Sequence, residues 1–331
     1  MVLKRWAFAI LIGCLSTSTA FARDRPFKIF IVLWRGETPV EKGFRDHLAE
    51  NGIHAEYIVR NVDQQAERLR DVVAEIQQEK PDLVYSWGTS VTLGLAGTYD
   101  DADPTRHVTD RPVLFTMVAD PVGARIVPSF DNPGRNVTGT SHVVPLDVQF
   151  KAMAAYKPFK RIGHVYNPLE RNSVVTAEQL KALAEKEKFE LIIRALPVVD
   201  NKPVAEAIPD VLAQLAEIGV DYVYLGPDSF IGVHRDLFNE TAIRLRLPVF
   251  ASTELALRES RALMGLVSGY YNLGRFTAHK AMQILLERKT AAEIPVETLK
   301  RFSYVINIGV ARELEFFPPI PVLQYAEVIG E

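Results

Sequence analysis

Cysteine is almost missing from this chain: a single one, Cys14, stands among 331 residues. No disulfide can form within the molecule, so its stability has to come from packing. An excess of either charge is missing too. The formal net charge is -3 at pH 7, and no basic surplus calls for nucleic acid or for an anionic membrane surface. Beyond the first residues there is no uncharged apolar run of the roughly 20 residues that a membrane-spanning helix needs. Low-complexity tracts and a terminal helix-turn-helix module are absent as well, which argues against a DNA-binding repressor.

The short motifs of catalysis and cofactor binding are also lacking. Neither G-x-G-x-x-G nor a Walker sequence occurs, so no nucleotide loop is indicated. His47, His54, His107, His142, His164, His234 and His279 are scattered without the spacing of a metal site. No G-x-S-x-G elbow is present, and the one cysteine lies too near the N-terminus to serve as a nucleophile in the fold. The sequence therefore predicts no catalytic residues, no metal and no cofactor.

What is there begins with an export signal. Lys4 and Arg5 precede an apolar stretch from Trp6 to Leu15, and Ala20-Phe21-Ala22 offers an A-x-A cleavage site, so residues 1–22 read as a signal peptide. Cys14 would be lost with it. In a rival reading, Leu11-Ile12-Gly13-Cys14 is a lipobox and Cys14 a lipid anchor. The shortness of the apolar run before Cys14 and the clean A-x-A site weigh toward cleavage and a periplasmic product.

The composition, 48% hydrophobic and 24% charged, suits one large domain or two lobes of about 120 to 150 residues each. From Lys28 onward, short β-branched runs alternate with helical patterns. Strands are expected at 28–34, 55–60, 83–86, 113–118 and 136–141, with helices over 40–50 and 64–79 and another opening at Gly88. The alternation then restarts: helices over 145–156, 173–188, 204–218 and 231–246 interleave with strands at 161–166, 190–195, 222–225, 248–251 and 263–267. A further helix over 273–288, a strand at 304–308 and a charged tail follow. Two such runs predict an α/β fold of two doubly wound parallel-sheet lobes joined by a multi-crossover hinge. The late helix is surplus to the second run and is expected to return to the first, giving lobe 1 as 26–141 plus 268–298 and lobe 2 as 142–267 plus 299–331.

In open parallel sheets ligands bind beyond the carboxyl ends of the strands, so the loops after the strands hold the candidate site. Trp34 and Arg35 end the first strand, where an aromatic plane and a bidentate cation suit a ring and a carboxylate. Gly88, Thr89 and Ser90 offer backbone N–H groups at a helix start to an anionic oxygen; simple N-capping by either hydroxyl is the alternative. Asp120 and Asp228 are placed to accept a ligand ammonium, with turn formation as the competing role. Ser141 and His142 mark the presumed crossover. Asn167, Asn172 and Ser173 surround the next helix start, where capping alone accounts for Ser173, and Tyr271 is a candidate for stacking on a ring.

The order of several segments adds a resemblance. They are Lys80-Pro81-Asp82-Leu83-Val84 with Gly88-Thr89, Ala119-Asp120-Pro121-Val122-Gly123-Ala124, and Pro133-Gly134-Arg135-Asn136-Val137-Thr138-Gly139. Arg161-Ile162-Gly163 with Tyr166-Asn167-Pro168 and Asn172-Ser173, and Tyr270-Tyr271-Asn272-Leu273-Gly274-Arg275, complete the series. In this order they resemble the substrate-binding components of ABC transporters, a family with tryptophan- and tyrosine-binding members, from Lys28 to about Ile308. The resemblance implies a type I periplasmic-binding fold with the ligand held at Thr89, Asp120, Asn167 and Asp228. The chain departs from that family's pattern at His142, where Asp is frequent, and at Trp34-Arg35-Gly36, where many members carry His-Pro.

The resulting expectation is a monomeric periplasmic protein that captures a small organic solute, amino-acid-like or aromatic, and delivers it to an ABC transporter permease. Two alternatives stand beside it. One is an exported solute sensor that reports to a membrane signalling protein, and the other, ranked lower, is a cleft α/β enzyme.

Overall fold

The computed structural model describes residues 25–330; the expected signal peptide and Cys14 lie outside the described residues. The first run comprises β1 (Phe27–Leu33), α1 (Pro39–Glu50), β2 (Ala55–Asn61), α2 (Leu69–Glu79), β3 (Leu83–Trp87), α3 (Gly88–Ala96), β4 (Val113–Val118) and β5 (Val137–Ser141). The second comprises α4 (Leu146–Tyr156), β6 (Arg161–Tyr166), α5 (Arg171–Glu187), β7 (Glu190–Ala195), β8 (Val198–Val199), β9 (Lys202–Pro203), α6 (Ile208–Ile218), β10 (Tyr222–Leu225), α7 (Ser229–Val233), α8 (Arg235–Arg244), β11 (Val249–Ala251), α9 (Glu254–Arg258) and β12 (Met264–Val267). The chain closes with α10 (Tyr270–Leu285), β13 (Glu297–Thr298), β14 (Ser303–Asn307), α11 (Ile308–Glu313), α12 (Ile320–Leu323) and β15 (Glu327–Ile329).

Two sheets result. The first has the order β13-β5-β4-β3-β1-β2 and is parallel throughout; the second has the order β15-β14-β12-β11-β10-β6-β7. The strands of β1, β3 and β4 are buried along almost their whole length because helices cover both faces, hence their continuous apolar runs. In the second sheet β14 runs antiparallel to β12 and β15 extends the edge, a pairing the sequence pattern did not foretell. The stretch expected as one helix over 231–246 is two, broken at His234. The helix expected over 64–79 begins with a 3₁₀ turn at Ala66–Arg68.

The chain passes between the sheets three times: after β5, after β12 and after β13. Helix α10 belongs to the first sheet's layer by packing on α1. The approach is so close that a Cβ on Gly43 would fall on the Tyr271 carbonyl oxygen, and one on Gly274 on the Val40 carbonyl oxygen. Lys280, almost fully buried on α10, donates to the Pro295 carbonyl at 2.6 Å and to Glu297 at 2.6 Å, which ties the helix to β13. Thr277 adds a buried hydroxyl contact to Thr140 on β5 at 2.7 Å.

Gly274→Ala tests this helix pair. The added carbon meets backbone, which cannot swing aside, so a loss of about 1–3 kcal/mol is expected from overpacking. Urea unfolding should show a lower midpoint at unchanged slope; an unaltered midpoint would contradict the packing described.

Candidate functional site

Each sheet has a topological switch point, where successive connections leave to opposite sides. In the first sheet it lies between β1 and β3, whose carboxyl ends carry Trp34-Arg35 and Trp87-Gly88. In the second it lies between β6 and β10, which end at Tyr166-Asn167 and Leu225-Gly226. A pocket joins the two. Arg35, Trp87, Gly88, Thr89, Met117 and Ala119 line it from the first lobe, and Asn172, Gly226, Pro227, Asp228, Ser229 and Arg235 from the second. His142 and Tyr270, which follow two of the crossings, complete the wall together with Leu225, Gly232, Thr253, Leu255 and Ala256.

The first wall is electropositive. Helix α3 starts at Gly88, whose φ of +83° suits glycine, and its N-terminus receives no side-chain cap. Its first N–H groups and dipole are thus directed at the pocket side of the strand end. Arg35 holds its guanidinium 5.3 Å from the Trp87 ring centroid, a cation–π contact that keeps the charge beside the helix start. Met117 enters the pocket through a bulge: the β4–β5 register shifts between Phe115 and Val118, and Met117 has φ +55°.

The second wall carries the Asp228 carboxyl together with Arg235, whose guanidinium is paired with Glu259 at 2.9 Å. The N-terminus of α7 is capped twice, by Asp228 and by Glu170. Asp228 accepts from the Ile231 amide at 2.8 Å, and Glu170 accepts from the Ser229 and Phe230 amides, each at 2.9 Å. The second Asp228 oxygen accepts from the Asn167 amide at 2.7 Å and from Ser173 Oγ at 2.8 Å. Asn172 donates to the Pro227 carbonyl at 2.6 Å, fixing the turn. Burial, followed by the nearby Glu170 carboxylate, pushes the Asp228 carboxyl up to about 7. No cation pairs with it among the described residues.

His142 is buried, and desolvation lowers it to about 4, opposed in part by a hydrogen bond with the Val118 backbone. It is therefore neutral at pH 7. Its Nδ1, like Trp87 Nε1 and Arg235 Nε, is a buried pocket atom with no hydrogen-bond partner in the chain.

Of the residues singled out in the sequence, the fold brings Arg35, Gly88, Thr89, His142, Asn172 and Asp228 to the pocket. Asn167 and Ser173 stand behind it and orient Asp228. Trp34 is buried in the first lobe's core, and Ser90 lies beyond the pocket wall on α3. Asp120 and Ser141 lie on a separate groove at the hinge side. There Asp120 accepts from its own turn at Val122 and Gly123 and from Gln179 of α5 at 2.6 Å, while Ser141 donates to the Ala119 carbonyl. Tyr271 turns to α1 and donates to Asp46 at 2.9 Å; its neighbour Tyr270 is the pocket residue, because consecutive helical residues point about 100° apart.

Several pocket residues escaped selection. Trp87, Gly226, Pro227, Ser229 and Thr253 sit in strand-end loops that were read as candidate segments, and only the choice among their residues missed them. Arg235 needed the fold, since it lies on the far side of an unforeseen helix break; Glu170, whose side chain the sequence leaves free to reach into a cleft, instead stands outside the pocket lining and acts on a helix some sixty residues away.

Comparison with known proteins agrees with this geometry. The sequence model of the family described as ABC transporter substrate binding protein matches residues 31–329. A tyrosine-binding protein of Clostridioides difficile (strain R20291) is 26% identical over 277 residues, covering 83% of this chain and 73% of that protein. A conserved domain protein of Vibrio cholerae superposes with a TM-score of 0.80 at 25% identity, over 92% of this chain and 99% of the other. A Streptococcus pneumonia domain described in complex with L-Trp superposes with a TM-score of 0.79 at 25% identity, over 92% and 100%. The two-lobed α/β architecture is that of type I periplasmic-binding proteins. With nearly the whole described chain matched, the protein belongs to the ABC transporter substrate binding protein family.

Proposed function

We propose that the pocket holds the zwitterion of an amino acid with an uncharged side chain, and that the lobes close on it for delivery to an ABC importer. One observation carries this reading. The two helix starts that meet at the pocket differ in sign: that of α3 is uncapped and flanked by Arg35, whereas that of α7 is buried under Asp228 and Glu170. A carboxylate is stabilised at the first and an ammonium at the second. Trp87, Met117, Leu225 and Tyr270 supply apolar surface for the side chain. Two relatives, a tyrosine-binding protein and a domain described in complex with L-Trp, accord with this charge pattern.

In this reading Gly88, Thr89 and Arg35 receive the carboxylate, Asp228 receives the ammonium, and Asn167, Asn172 and Ser173 hold Asp228 in place. The moving bodies are 26–141 plus 268–298 and 142–267 plus 299–331, and the three crossings between the sheets act as the hinge. The protein acts as a carrier and not as a catalyst. It is exported through the signal at 1–22, works as a periplasmic monomer, and presents its closed form to a permease. Among the described residues no helix is long and apolar enough to cross a membrane, which accords with that role.

Two measurements test the proposal. In a thermal-shift panel of L-amino acids, at least one with an uncharged side chain should raise the melting temperature; a ligand at about 100 times its Kd adds about 2.7 kcal/mol. No shift from any of them, with turnover of a small solute instead, would overturn it.

The second is pH dependence. An ammonium beside Asp228 favours its charged form, so binding releases a proton below pH 7. Affinity measured by calorimetry should therefore rise between about pH 5 and 7 and level off above. Asp228→Asn should remove that rise and weaken binding by about tenfold or more, the loss expected for a charge-assisted hydrogen bond. A flat profile in the unaltered protein would exclude Asp228 as the ammonium partner.

A further inference from the structure

Arg35 does more than lend charge to its own lobe. It leaves the end of β1 in the first sheet, yet its Nη1 donates at 3.2 Å to the carbonyl of Ser229, the first residue of α7 in the second lobe. On the same helix, a Cβ built at Gly232 would fall on Arg35 Nη1, well inside van der Waals contact. The guanidinium thus occupies the space that any side chain at 232 would fill. Trp87 forms the other face of this seat. The charge of Arg35 is felt by His142 and Tyr270, the pocket residues that follow two of the crossings.

Other contacts cross between the lobes nearby: Tyr270 N–H to Glu254 lies at the crossing after β12, where the lobes stay joined, and Gln179 to Asp120 and Arg171 to the Gly123 carbonyl involve exposed side chains. Such exposed bonds exchange readily with water and add little. The Arg35 contact is half-buried inside the cleft and charge-assisted, so it distinguishes a closed arrangement from an open one more strongly. The Trp87 ring belongs to the same lobe as Arg35 and holds the guanidinium ready before the second lobe arrives, which reduces the entropy lost on docking.

We propose that Arg35 is an interlobe latch whose seat is the missing side chain of Gly232, and that this pair sets the balance between open and closed forms. It is a positioning pair for solute capture: Gly232 acts on affinity only through the fraction of molecules that are closed, whereas Arg35 also meets the carboxylate directly, so the effect of the latch on affinity is read from Gly232→Ala. The inference rests on the two-lobed receptor reading given above.

The unique cysteine makes the test practical. In a chain carrying Cys14→Ser, spin labels at Glu67→Cys and Glu240→Cys, both exposed, report the distance between the lobes by pulsed electron resonance. The chain with Arg35 and Gly232 intact should populate a short separation. Gly232→Ala should shift the distribution to longer separations while its melting temperature stays near that of the parent, because only the mobile end of a side chain is displaced. Arg35→Met should do the same. In the Arg35→Met background, Gly232→Ala should change nothing further, since its only steric conflict has been removed. A tenfold fall in the closed fraction raises the apparent Kd of the best amino acid from the panel about tenfold.

An unchanged distribution in Gly232→Ala would overturn the latch, and so would an equal shift with and without Arg35. If the parent chain shows one fixed separation that no amino acid alters, the receptor reading fails and the latch fails with it.

Discussion

The pocket depends on one electrostatic opposition: two helix N-termini approach a shared space, and only one of them has already been neutralised. Helix α7 spends its first amides on Asp228 and Glu170, which leaves carboxylate charge at the pocket wall. Helix α3 spends none of its first amides on a side chain, which leaves N–H donors there. Had both been capped by neutral hydroxyls, the same fold would offer a polar cleft with no preferred direction. In the proposed reading this asymmetry gives an amphoteric solute a defined head and tail, and it is built from residues whose local role looks like ordinary capping.

The fold earns that opposition by repeating one topology. In each sheet the chain leaves a central strand first to one side and then to the other, opening a crevice at the carboxyl ends. Three crossings bring the crevices face to face, and α10 fixes one side of the hinge by its glycine-mediated contact with α1. Tyr270 is where these demands meet. Its ring lines the pocket, and its backbone N–H donates to Glu254 of the second lobe at 2.6 Å. The first turn of α10 therefore touches both lobes and the solute space at once.

Much of this was legible in the sequence because a parallel sheet buried on both faces leaves a plain signature: apolar β-branched runs separated by amphipathic helices. The loops at strand ends followed directly, and so did Arg35, Thr89 and Asp228. What stayed hidden required three-dimensional facts. Asp120 reads like a ligand carboxylate, but it lies on a separate groove and not in the pocket that Asp228 lines. Tyr270 and not Tyr271 lines the pocket, because α10 starts at Tyr270, earlier than the 273–288 span its apolar period suggests, and this start sets which tyrosine faces inward. The break at His234 has no proline to announce it. Met117 owes its place to a bulge with positive φ that no propensity signals. Glu170 precedes α5 with a side chain that reads as free to enter a cleft, and that side chain caps α7 far along the chain.

The central claim is one of orientation, so the most direct measurement is a crystal structure of the complex with the amino acid that stabilises the protein most. The account predicts the α-carboxylate at the Gly88-Thr89 amides and Arg35, and the α-ammonium within hydrogen-bonding distance of Asp228. A solute bound in the reverse sense, or outside the space between the two switch points, would contradict it.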